Sequence, residues 1–184
     1  LVVKNNAQES KEFFENIDWS KTKAYALGFG GIYFNKTGRE YYGIVSNAQT
    51  ADLKQQIMEG LKKLTDPETK ESVISNVYTQ EKAFQGPYEN EAPDLFVGFQ
   101  RGYRASWQTV LGAVPLPLME ENRKKWSGDH LIDPSLVPGV IFSNQKLNLT
   151  TPSIIDIYPT ILSLFNIRDY QNTSGKTLIE DERK

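Results

Sequence analysis

The sequence contains no cysteine, a single histidine and two methionines, and none of its apolar runs approaches the ~20 residues that span a bilayer. Without cysteine there is no disulfide framework, no thiolate-bound zinc or iron–sulfur centre and no thiol nucleophile. The compartment stays open, since exported bacterial proteins are also built without cysteine. A Ser-His-Asp triad would have to use His130, and neither a Gly-x-Ser-x-Gly elbow nor a Walker-type phosphate loop occurs. Charge of one sign is also missing: 21 Lys and Arg face 23 Asp and Glu, for a net charge of −2. That balance lacks the broad positive field that nucleic-acid binding uses. The one basic cluster, Arg123-Lys124-Lys125, reads as a solvated surface turn.

What is present describes an ordinary globular chain. At 184 residues, 39% apolar and 24% charged, the size suggests one domain that buries roughly 70% of its unfolded surface. Leu1 opens the sequence with no initiator Met and no basic or apolar leader, so the expectation is a piece of a larger protein.

The elements alternate. Residues 10–17 place Phe13, Phe14 and Ile17 on one helical face. Aromatic and β-branched residues on either side of the glycines at 28, 30 and 31 predict two strands within residues 24–35, followed by a turn at 35–38 and a further strand at 43–45. Thr50 is a candidate cap for a helix carrying Leu53, Ile57, Leu61 and Leu64, which Asp66-Pro67 closes. Strands are expected at 73–78 and 94–99, with a short acidic helix around Glu81 between them. Prolines at 115, 117, 134 and 138 punctuate a long loop. Residues 139–144 have the composition of a buried strand, and Ile154, Tyr158, Ile161, Leu162 and Phe165 recur at helical spacing. Pro159 fits only the first turn of that helix, which therefore begins near Asp156. The expected fold class is α/β or α+β, a mixed sheet with flanking helices.

Few residues can carry chemistry. His130 sits in a loop after Gly128-Asp129, before Asp133-Pro134, where an imidazole could ligate a metal or move a proton. Asp94 and Asp129 could add oxygens. Arg39, Arg101 and Arg104 stand next to or near glycines at strand ends, where a guanidinium can fork onto phosphate, the competing assignment being a structural ion pair. Gly28-Phe29-Gly30-Gly31 runs into a strand and so reads as a hairpin turn, not a phosphate cradle. Trp107 and Trp126 read as packing residues. Glycosylation triplets at Asn35, Asn148 and Asn172 are short enough to arise by chance.

Three segments in order, Trp126-Ser-Gly-Asp-His-Leu-Ile-Asp-Pro, Val137-Pro-Gly-Val-Ile-Phe-Ser-Asn and Asp156-Ile-Tyr-Pro-Thr-Ile-Leu-Ser-Leu-Phe, follow Ala24-Tyr-Ala-Leu-Gly-Phe-Gly-Gly-Ile-Tyr-Phe-Asn, Gly38-Arg-Glu and Ala92-Pro-Asp-Leu-Phe-Val-Gly. Together they resemble the C-terminal part of the alkaline phosphatase superfamily, in its type I phosphodiesterase/nucleotide pyrophosphatase-like branch. The resemblance implies a phosphohydrolase with two divalent ions, zinc or also manganese, held by Asp and His around a Thr or Ser nucleophile. It implies that His130 is the last metal ligand. Asp129 does not match a ligand position and reads as a carboxylate that steadies the loop, and a contact to substrate phosphate is a separate expectation for Arg39 or Arg104. The substrate would be a phosphoester small molecule, such as a nucleotide or lipid head group. The nucleophile and the other ligands have no counterpart in this sequence and are expected upstream of Leu1, in an N-terminal half that acts as partner. The piece alone is then expected to be inactive. Residues 1–19 would lead in from that half, 20–100 would form a cap-like α+β region, and 101–184 would return to the core. The competing class is a non-catalytic binding module that uses the aromatic surface around Tyr41, Tyr42 and Trp107.

Overall fold

The computed structural model describes residues 1–4, 12–125, 128, 131–148, 150–167 and 173–179. They form two compact units, Leu1–Pro138 and Gly139–Lys184.

The first unit is built on a four-stranded sheet of order β1-β2-β4-β3, with β1 Ala24–Leu27, β2 Gly31–Phe34, β3 Ile74–Thr79 and β4 Leu95–Phe99. All three pairings are antiparallel, which corrects the expected mixed sheet. The α-helical crossover from β2 to β3 is present, and it leaves those two strands pointing the same way. They are not neighbours, because β4 inserts between them in the opposite sense, so no parallel ladder forms. The apolar run of β4 suits a central strand paired on both edges.

Helix α1, Asn47–Lys62, lays Leu53, Ile57, Met58 and Leu61 on a core of Phe34, Val73, Ile74, Val77, Leu95 and Val97. Phe34 and Leu95 are wholly buried, and each stabilises the fold by about 1.5–3 kcal/mol relative to exposure. The helix starts at Ser46, not Thr50: the Ser46 backbone N–H donates to Gln49 Oε1 at 3.0 Å, one half of a capping box. Thr50 sits inside the first turn, its hydroxyl donating to the Ser46 carbonyl. Between β1 and β2 the turn needs positive φ at Gly28 and Gly30. Gly30 also lies so close to the Val97 carbonyl that a Cβ would stand 2.9 Å from it.

Two expected elements in this unit are not formed. Residues 10 and 11 lie outside the described residues, and Glu12–Phe14 make one 3₁₀ turn with Phe13 left-handed at φ 56°, which ends any α-helical run there. Residues 43–45 contribute a single bridge, Val45 to Lys36, because the chain has just doubled back through a tight loop. Short helices α2, Gln80–Ala83, and α3, Trp107–Val110, flank the sheet ends.

The second unit centres on α4, Ile157–Leu164, with Pro159 inside its first turn as the sequence required. The Asp156 carboxylate accepts from the Ser153 and Lys176 backbone N–H groups, both at 2.8 Å. Thr160 continues the tie, its hydroxyl accepting from the Leu178 N–H at 2.9 Å. The strand expected at 139–144 is not formed: this run pairs with no strand among the described residues, and Phe142 is 93% exposed. Composition identifies an apolar extended segment, whereas a strand also needs a neighbour to hydrogen-bond.

Candidate functional site

A buried carboxylate stands at each end of the central strand. Asp94, just before β4, is 1% exposed. Its Oδ2 accepts from the Phe34 N–H and from Arg39 Nη2, each at 2.7 Å, and its Oδ1 meets Lys36 Nζ. Arg39 also donates through Nε to Glu40 Oε1 at 2.7 Å and through Nη2 to the Phe34 carbonyl at 2.8 Å. Glu40 closes the ring by accepting from the Lys36 N–H at 2.8 Å. Burial works against the charged Arg39, but the Asp94 and Glu40 carboxylates more than offset it and raise its pKa. Tyr25, half-buried beside Glu40, has its phenol pushed up to about 12 by partial burial and by the Glu40 charge. Two cations thus neutralise two anions.

This cluster braces the loop at residues 35–45. Asn35 is 1% exposed, and its Nδ2 reaches the carbonyls of Trp19, Thr22 and Tyr42 at 2.9–3.1 Å. A glycan would attach at that nitrogen, so the Asn35 triplet is closed to glycosylation in the folded chain. Gly43 presses on the Lys36 carbonyl, where no side chain fits. On this braced loop Tyr41 is 92% exposed, its ring edge-to-face with that of Tyr42 at 4.7 Å.

Asp133 occupies the other end of β4 and is fully buried. Its Oδ1 accepts from the Tyr78 hydroxyl and the Ser135 N–H, and its Oδ2 from Asn76 Nδ2, each at 2.8 Å. Burial alone would raise its pKa, but the hydrogen bonds from Ser135, Asn76 and Tyr78 outweigh it and hold the carboxyl at about 2. The Asp133 N–H donates to the Phe99 carbonyl at 2.9 Å, and Ile132 bridges Phe99 in parallel register. Gly98 faces the Asp133 carboxylate so closely that any Cβ would collide with it. Residues 132–135 are therefore clamped at the exit of the central strand.

Of the residues singled out by sequence, Arg39 and Asp94 are brought together, and both Asp94 oxygens are taken by cations and a backbone N–H. Arg101 is on the turn after β4 and donates to the Leu136 carbonyl at 3.3 Å. Arg104 lies over the Trp107 ring, 4.7 Å from its centroid, with Nε on the Ala105 carbonyl. His130, Asp129 and Trp126 lie outside the described residues. Among the described residues no three Asp, Glu or His side chains gather as a metal site, and no helix is long and apolar enough to cross a membrane.

Asp133, Asn76, Tyr78 and Lys36 were not foreseen. Two signals for Asp133 are in the sequence: Asp133-Pro-Ser135 is a turn-capping pattern, with the carboxylate on the N–H two residues on, and the glycine inside the apolar β4, Gly98, marks a close approach. No family model, curated protein or solved structure matches the chain.

Proposed function

We propose that this chain is the C-terminal part of a metal-dependent phosphohydrolase with an alkaline phosphatase-like core, hydrolysing phosphodiester or phosphomonoester bonds. In this reading His130 contributes one metal ligand, and residues outside this sequence contribute the Thr or Ser nucleophile and the remaining ligands. When bound, two divalent ions would polarise the phosphoryl group and lower the pKa of the attacking hydroxyl. The observation that supports the reading is the backbone clamp: Leu131 is buried, Ile132 bridges Phe99, and the Asp133 N–H donates to the Phe99 carbonyl. The clamp fixes the backbone at 131–133, immediately after the proposed ligand in sequence, and a tight site draws on rigid supporting backbone of this kind. Arg39 and Arg104 are the proposed contacts to substrate phosphate.

In the full-length protein, His130→Ala is expected to lower bound zinc or manganese and phosphoesterase turnover together. Unchanged metal content measured by atomic emission, with unchanged turnover, would remove His130 from the site.

The exposed Tyr41–Tyr42 pair favours a second reading, a non-catalytic binding module. Rigid loops that present tyrosines are common contact surfaces, and in that reading the full-length protein turns over no phosphoester at all.

A further inference from the structure

We infer that the outward face of α4 is a self-association surface, on which a second copy of this chain packs its own α4 antiparallel about a two-fold axis. The inference is independent of the phosphohydrolase reading.

The polar side of α4 faces its own unit and the apolar side faces away. Asp156, Pro159, Thr160 and Ser163 share the side that is buried or half-buried. Polar bonds hold it there: the Asp156 carboxylate accepts from the Ser153 and Lys176 N–H groups, and the Thr160 hydroxyl from the Leu178 N–H. Turning the helix to bury its apolar side would break all three. Ile154, Ile157, Tyr158, Ile161, Leu164 and Phe165 recur at the i, i+3, i+4, i+7 spacing of one helical stripe. All six are exposed, from 37% at Ile157 to 86% at Ile154. At about 200 Å² per large side chain, the stripe offers roughly 700 Å², above the ~300–600 Å² of the largest apolar patch on a typical monomer and close to the ~800 Å² that each partner gives to a standard interface. Its chemistry selects the occupant. Between Leu147 and Ile167 the one charged side chain is Asp156, which is buried on the opposite side. Two copies therefore meet with no like charges opposed, and the joint is depleted of charge as the cores of homodimer interfaces are. A lipid surface would call for Lys or Arg beside the apolar face, and that span contains neither. In a two-fold contact residue i meets j and j meets i. With the axis midway along the stripe, Tyr158 meets Ile161 of the second copy, and Ile154 meets Phe165 of the second copy.

Size exclusion with light scattering on the full-length protein should give a dimer that dissociates in the micromolar range or below, the span of standard-size interfaces. Ile161→Glu and, separately, Tyr158→Lys place a charge at the joint twice over and should each weaken the dimer about 100-fold or more. Both side chains point out of their unit, so the circular dichroism of each variant should match that of the parent. Mixing the two variants sets the new carboxylate against the new ammonium at one contact and leaves the other contact native, so a heterodimer should form. A protein that stays monomeric up to about 100 µM, weaker than such an area gives, overturns the inference, and binding of that monomer to phosphatidylcholine vesicles would assign the stripe to lipid instead. A dimer unaffected by both substitutions overturns it as well, and a mixture of the variants that stays monomeric overturns the two-fold pairing. These outcomes leave the phosphohydrolase reading untouched, since bound metal and turnover in His130→Ala test that separately.

Discussion

Asp94→Ala is expected to destabilise the first unit by about 3 kcal/mol, the low end of the range for removing one partner of a buried ion pair. Three groups lose an acceptor at once, Lys36 Nζ, Arg39 Nη2 and the Phe34 N–H, although Arg39 Nη2 keeps the Phe34 carbonyl. The two cations keep roughly a quarter of their side chains in water, which limits the loss. The Phe34 amide has no such relief, since its residue is fully buried at the end of β2. Asp94→Asn should cost less, because an amide oxygen still accepts from Phe34 while the charges are lost. Arg39→Ala should cost least, because Lys36 remains to neutralise Asp94. Urea denaturation of the three variants checks the order, and Asp94→Ala within about 0.5 kcal/mol of the parent would show that the cluster contributes nothing net.

That order also bears on the proposed role of Arg39. A guanidinium committed to two carboxylates and a carbonyl is a brace first, so substituting it loosens the 35–45 loop in addition to any phosphate contact it makes. The Tyr41–Tyr42 surface rests on the same brace. Kinetic effects of changing Arg39 therefore acquire meaning only beside a stability measurement, whereas the contacts of Arg104 are with Trp107 and the Ala105 carbonyl.

Much of the first unit was legible because its signals are local. The glycine-flanked hairpin, the helix carrying Leu53, Ile57 and Leu61, and the apolar β4 each declare themselves within a dozen residues. Strand direction was not legible, since whether β4 lies beside or between its neighbours depends on pairing across more than sixty residues. The missing strand at 139–144 has the same cause: apolar composition is local and a partner is not. At the site, residue types point to Arg39 and Asp94, but which charge faces which is a tertiary fact. Asp133 has a local signal only for its turn-capping bond to Ser135; that Gly98, 35 residues earlier, makes room for its carboxylate is a tertiary fact.

Asp133 should make the first unit acid-sensitive in a defined window. Its carboxyl titrates near 2 in the folded chain against an ordinary value of 3.8, a difference of about 2 kcal/mol in favour of the folded ionised form. Because the folded value is the lower one, this stabilisation is complete above pH about 4 and is lost as the pH falls from there toward 2. Asp133→Asn removes that part of the acid slope. Asp66, hydrogen-bonded by the Glu68 and Thr69 N–H groups and the Tyr103 hydroxyl, is also depressed, so some slope remains. At neutral pH the same variant sets an amide NH₂ against Asn76 Nδ2, donor against donor, and should cost about 1–3 kcal/mol. Adding Asn76→Asp turns that face into an acceptor and should recover part of the loss. A double-mutant cycle followed by urea titration at pH 7 and at pH 3 separates the two effects. The hydrogen-bond term appears as coupling at pH 7, and the charge term as the difference in acid slope between parent and Asp133→Asn. Equal acid slopes in those two proteins would show that the Asp133 charge makes no contribution to folding.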